Sequence, residues 1–120
     1  MLTSFTPTTP KERLLLRWYP EVGIQGYTNV DSTVAFYSRI ASLCPTAQRV
    51  VDFGCGRGRH SDDALPFRRA LTNLRRDGRQ VIGLDIDPVG NDNPLIDEFR
   101  KIVPGREWPI ESNSVDLIVS

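Results

Sequence analysis

Three short apolar runs punctuate the chain from position 49 onward, and each borders glycine-rich or polar sequence. Arg49–Phe53 runs into Gly54-Cys55-Gly56-Arg57-Gly58. Val81–Asp85 is closed by Ile86-Asp87-Pro88, and Val115–Val119 follows the polar turn Glu111-Ser112-Asn113-Ser114. Apolar runs of this length, bounded by glycine and proline, predict buried strands. Helical spacing lies before and between them. Asp31 or Ser32 can cap a helix over 33–43, with Phe36, Ile40 and Leu43 on its sheet-facing side and Pro45 ending it. A second helix is predicted over 66–76, with Pro66 in its first turn, Gly78 beyond its end, and Leu71 and Leu74 facing the sheet. A shorter one over 11–18 is stopped by Pro20, and 21–29 reads as loop. The segment 87–93 is loop, whereas Leu95, Phe99 and Ile102 give 95–103 a helical stripe. Alternation of this kind predicts an α/β fold, with a parallel sheet in which the first strand is flanked by the other two.

The glycines after the first strand carry the most chemistry. Their spacing is G-x-G-x-G, with Arg59 where a dinucleotide-binding fingerprint would place its last glycine. Glycine reaches positive φ without steric cost and has no Cβ to hold a ligand away from main-chain N–H groups. The turn is therefore expected to lie against a ligand. Asp85 ends the second strand, where a carboxylate can accept two hydrogen bonds from ribose hydroxyls.

Charge and composition narrow the alternatives. Fifteen basic and fifteen acidic residues cancel over 120 positions, so nothing drives the whole chain toward nucleic acid or an anionic membrane. Seven of the arginines and lysines (Arg57, Arg59, Arg68, Arg69, Arg75, Arg76 and Arg79) crowd into 57–79. They read either as a solvated face or as a site for an anionic substrate or RNA. Phe67 alone interleaves with them among the large aromatics, which speaks against RNA. No apolar run approaches the ~20 residues of a spanning helix. The Thr/Pro-rich start lacks the order of a secretory signal, so a cytoplasmic protein is expected. Cys44, Cys55 and His60 make neither a disulfide framework nor a zinc site, and both cysteines are expected to be reduced structural thiols.

With these segments in this order, the chain resembles the class I S-adenosylmethionine-dependent methyltransferases, most closely their type 11 branch. The resemblance covers roughly residues 26–120. V-V-D-F-G-C-G-R-G is similar to the family's glycine loop, V-I-G-L-D-I-D to its acidic second strand, and W-P-I-E-S-N-S-V-D-L-I-V-S to its fourth strand. It implies a Rossmann-like sheet with S-adenosyl-L-methionine as cofactor and a small-molecule methyl acceptor, an oxygen or nitrogen nucleophile. It also implies that Gly54, Cys55 and Gly56 line the methionyl part of the cofactor, and that Asp52 serves its ammonium side or else braces the turn. Asp85 would take the ribose, Ile86 would lie against the adenine, and Trp108 would be either a wall of the ligand site or core. Asp87 is expected to be a turn residue and Asp116 structural. Arg59 would reach the methionyl carboxylate or an acidic acceptor. The family also places a short edge strand near 101–103, as an alternative to the helical stripe.

Organisation follows from the same comparison: 1–10 disordered, 11–48 N-terminal helices, and 49–120 a partial methyltransferase domain ending after its fourth strand. A chain ending there is expected to lack activity by itself and to self-associate through an uncovered sheet edge. The alternative is a non-catalytic remnant, or a partner-dependent nucleotide-binding half-domain. A nicotinamide dehydrogenase is disfavoured by the glycine spacing.

Overall fold

A computed structural model of the chain describes residues 6–18 and 31–120. Pro20 and the loop expected over 21–29 lie outside the described residues, as do the first five positions of the 1–10 segment. The chain divides into two compact units, Met1–Ser32 and Thr33–Ser120.

In the first unit, helix α1 spans Pro10–Trp18. Its start is a reciprocal cap. The Glu12 carboxylate accepts from the Thr8 and Thr9 amides at 2.8 and 2.9 Å, and the Glu12 amide donates to Thr9 Oγ1 at 3.2 Å. Those bonds, the Thr9 amide foremost, hold the Glu12 carboxyl down at about 2.

The second unit contains α2 (Ser32–Leu43), β1 (Arg49–Phe53), α3 (Pro66–Thr72), β2 (Gln80–Asp85), β3 (Glu98–Lys101) and β4 (Leu117–Val119). Two 3₁₀ turns, Arg59–Asp62 and Pro88–Asp92, follow β1 and β2. All strand pairs are parallel, in the order β3-β2-β1-β4. The protein is thus a small Rossmann-like α/β domain, and β1 lies between β2 and β4 as its sequence implies.

Alternation along the strands builds two cores. Val50, Val81 and Val119 point to one face, with Ala47, Leu74 and Ile96. Val51, Ile82 and Leu84 point to the other, with Ile102. A parallel sheet needs apolar cover on both faces, which is why β1 and β2 read as continuous apolar runs. Fully burying each of these side chains is worth about 1.5–3 kcal/mol.

Ile40 of α2 packs on the core as expected, joined by Tyr37 and, just past the helix end, by Cys44, whereas Leu43 is 78% exposed and Phe36 43% exposed. The buried stripe is thus shifted to one side of the expected face. α3 is shorter than expected. Asn73 is extended, and its side-chain oxygen accepts from the Arg75 amide at 3.1 Å, a local turn that competes with further helix. Leu74 is still buried, while Leu71 is half-buried and Phe67 exposed.

The helical stripe over 95–103 gives way to β3, which begins at Glu98, ahead of the strand expected near 101–103. Phe99 lies on Gly90, where an added Cβ would come within 2.8 Å of its ring Cζ. β4 begins at Leu117; just before it, the Asp116 carboxylate accepts from the Gln48 and Arg49 amides at 2.9 Å each, and the Asp116 amide donates to the Arg49 carbonyl at 2.9 Å. Asp116 is structural, as expected.

The crowded arginines are mostly internal ties. Arg79 donates to the carbonyls of Ala47 (2.7 Å), Cys44 (3.1 Å) and Leu74 (3.4 Å), joining the ends of α2 and α3. Arg75 pairs with Asp97 at 2.9 Å, Arg57 with Asp62 at 2.8 Å, and Arg68 with Asp63. No helix among the described residues is long and apolar enough to cross a membrane.

Candidate functional site

Chain topology singles out one end of the sheet. From β1 the chain passes to β2 and β3 on one side, then to β4 on the other. The carboxyl end of β1 is therefore a topological switch point, where open α/β sheets hold their ligands. A cavity of about 270 Å³ opens there, lined by Asp52, Gly54, Cys55, Gly56, Tyr37 and His60, among others.

The glycine turn adopts the conformation its residues suggest. Gly54, Gly56 and Gly58 have φ of 73°, 52° and 75°. At Gly56 an added Cβ would meet no protein atom within 4 Å, so the turn is open toward the cavity. At Gly58 it would lie 2.7 Å from Asn93 Cγ and 2.9 Å from Pro94 Cδ. Gly58 therefore answers a close approach within the protein.

The amides of the turn do not behave as expected. Gly54 and Cys55 donate to the Leu84 carbonyl, at 2.7 and 3.2 Å. Gly56 donates to Asp85 Oδ2 at 2.8 Å. All three donors bind β2, so what Gly54, Cys55 and Gly56 offer a ligand is shape and nearby carboxylates rather than free N–H groups.

Asp85 also accepts from the Asp87 amide, at 2.9 Å through Oδ1. These bonds, the Asp87 amide foremost, hold its carboxyl below the usual range, and each oxygen keeps acceptor capacity. Asp87 is a turn residue, its carboxylate accepting from the Val89 amide at 2.9 Å.

Asp52 differs. Burial first, and then the Asp85 charge, push its carboxyl up from 3.8 to about 6. The folded chain thus keeps a proton that the unfolded chain loses near pH 4. Stability from this group is full below that pH and is lost as pH rises through about 6. Above 6 the ionised carboxylate costs roughly 3 kcal/mol, two units at 1.4 each. Asp52→Asn is accordingly expected to stabilise the unliganded chain by roughly 1–3 kcal/mol at pH 7.5, with the gain fading toward pH 4. Urea unfolding at both pH values checks this, and destabilisation at pH 7.5 would contradict it.

Two residues that the sequence did not single out complete the site. Asn93 is buried, and its amide nitrogen donates to the carbonyls of Cys55 (3.0 Å) and Gly56 (3.2 Å), while its oxygen accepts from the Leu95 amide at 2.8 Å. It clamps the glycine turn. Tyr37 of α2 stands edge-on to His60, with ring centroids 5.7 Å apart. Burial, and then Asp52, raise its hydroxyl pKa.

Asp52, Gly54, Cys55 and Gly56 all line the cavity, and Asp85 joins it through Gly56. Ile86 and Trp108 do not line it. Ile86 is 61% exposed, and Trp108 stacks on Phe53 at 4.6 Å while remaining 47% exposed. Cys44 and Cys55 are free thiols. Burial, Asp52 and Asp85 push the Cys55 thiol up to about 11, so it is no nucleophile at neutral pH. Among the described residues no cluster of three or more His, Cys, Asp or Glu could hold a metal ion.

The chain matches no protein-family model, no curated protein and no solved structure.

Proposed function

We propose that the crevice at the end of β1 binds S-adenosyl-L-methionine and that the protein belongs to an enzyme transferring its methyl group to a small oxygen or nitrogen nucleophile. One observation carries this reading. Two carboxylates, Asp52 and Asp85, flank a glycine turn whose Gly54, Cys55 and Gly56 amides are already engaged. Those three engaged amides offer a pyrophosphate no donors, and the two carboxylates suit a ligand carrying ammonium and sulfonium charges plus a ribose diol.

The residues present fit that ligand. Ionised Asp85 retains acceptor capacity for the ribose hydroxyls, and Asp52 would hold the ammonium. A cation beside Asp52 would lower its pKa and relieve the cost of its burial, so binding near pH 6 should release a proton. When bound, the sulfonium supplies a methyl group by in-line displacement: the S–C bond breaks as the bond to the nucleophile forms, and the electron pair returns to sulfur. The leaving group is good, so the protein's share is to bind, orient and exclude water. The free cysteines suit the reducing cytoplasm.

Calorimetry with S-adenosylhomocysteine and with NAD tests the proposal. S-adenosylhomocysteine is expected to bind with one site per chain and NAD negligibly. Preference for NAD would overturn it.

A further inference from the structure

We infer that a second, open depression, sharing part of its lining with the first cavity, is a subsite for an anionic group, a carboxylate or phosphate, of the methyl acceptor. The acceptor role rests on the proposed function; the anion subsite itself does not. The cavity measures about 470 Å³, and its lining includes Arg57, Arg59, His60, Asp62, Asp63 and Arg68. Arg57, Arg59 and His60 also line the cavity at the glycine turn, so the two spaces share a wall.

Asp62 is taken by Arg57 at 2.8 Å, and Asp63 by Arg68, whose Nη2 lies 3.0 Å from Oδ1. Arg68, through its hydrogen bonds, is the main reason the Asp63 carboxyl is held below its usual range. Of the three arginines in the lining, Arg59 alone has no hydrogen bond or ion pair with a described residue. Its neighbours in the crowded 57–79 stretch, Arg57, Arg68, Arg69, Arg75 and Arg79, are tied to carboxylates or carbonyls.

Arg59 is also held in place by its backbone. It opens the 3₁₀ turn directly after Gly58, whose close fit against Asn93 and Pro94 fixes the chain there. The Ser61 amide closes the turn on the Gly58 carbonyl at 2.9 Å. There a guanidinium can grip two oxygens of an anion at once, and His60 can add a donor.

The test uses inorganic phosphate and acetate as probes on the ¹⁵N-labelled chain, following the arginine Nε–H and histidine ring signals. Phosphate or acetate, whichever anion the subsite prefers, should shift Arg59 and His60 saturably. Arg59→Met, an exposed substitution, should weaken that response at least tenfold, while Arg57→Met should weaken it less than threefold. Neither anion binding, or binding indifferent to Arg59→Met, would overturn the subsite. A tenfold loss of S-adenosylhomocysteine affinity in Arg59→Met would overturn it too, by giving Arg59 to the methionyl carboxylate. If S-adenosylhomocysteine fails to bind even the unaltered chain while the anion response survives, the cofactor reading falls and the anion subsite stands.

Discussion

Gly56→Val is expected to abolish S-adenosylhomocysteine binding while the chain still folds. Gly56 has φ 52°, a conformation that a β-branched residue adopts only under strain of about 1–3 kcal/mol. No protein atom lies within 4 Å of where its Cβ would be, so the side chain would not break the core. It would instead project from a residue that lines the cavity, into the space a ligand needs. Strain would also disturb the Gly56 N–H bond to Asp85, loosening the turn and the carboxylate together. Calorimetry should read no binding heat, with circular dichroism close to that of the unaltered chain. Unchanged affinity in a folded Gly56→Val protein would remove the glycine turn from the site.

Asp85→Ala should lower the same affinity by ~1.5–3 kcal/mol, about 10- to 150-fold, the scale of hydrogen bonds to a charged acceptor. The substitution removes the ribose acceptor and also leaves the Gly56 and Asp87 amides without their partner. A second effect separates this from simple damage to the loop. The Asp85 charge helps to raise Asp52, so in Asp85→Ala the Asp52 carboxyl should titrate closer to its ordinary value. NMR titration of Asp52 in both proteins reads this directly. Unaltered affinity together with an unmoved Asp52 would contradict the coupled carboxylate pair.

The parts of the fold legible in the sequence are those set by burial on both faces. β1 and β2 are short, wholly apolar in their buried positions and bounded by glycine or proline; β1 has its expected limits, and β2 begins one residue earlier than expected. β3 was ambiguous because it is an edge strand: Glu98, Arg100 and Lys101 face polar surroundings, and Phe99 owes its place to Gly90, nine residues earlier. α3 ends early through a side-chain turn at Asn73 that helical periodicity does not encode. In the site, glycine spacing announced the positive φ values, and an acid after an apolar run announced Asp85. Where the turn's amides point was not legible, since that depends on the register of β1 against β2. Asn93 and Tyr37 were missed for a related reason. Asn93 grips a carbonyl 38 positions away, and Tyr37 lies beside the expected face of α2, next to Phe36, which stays exposed. The clustered arginines looked like one charged face, yet most of them serve separate internal contacts.

The most direct test of a cofactor crevice at the end of β1 is an amide map. The ¹⁵N-labelled chain is titrated with S-adenosylhomocysteine at pH 7.5, with NAD in parallel. The expected result is saturable shifts at Gly54, Cys55, Gly56 and the Asp85–Asp87 amides with S-adenosylhomocysteine, and none with NAD. Shifts at those amides with NAD alone, or S-adenosylhomocysteine shifts that spare the 54–58 turn, would contradict it.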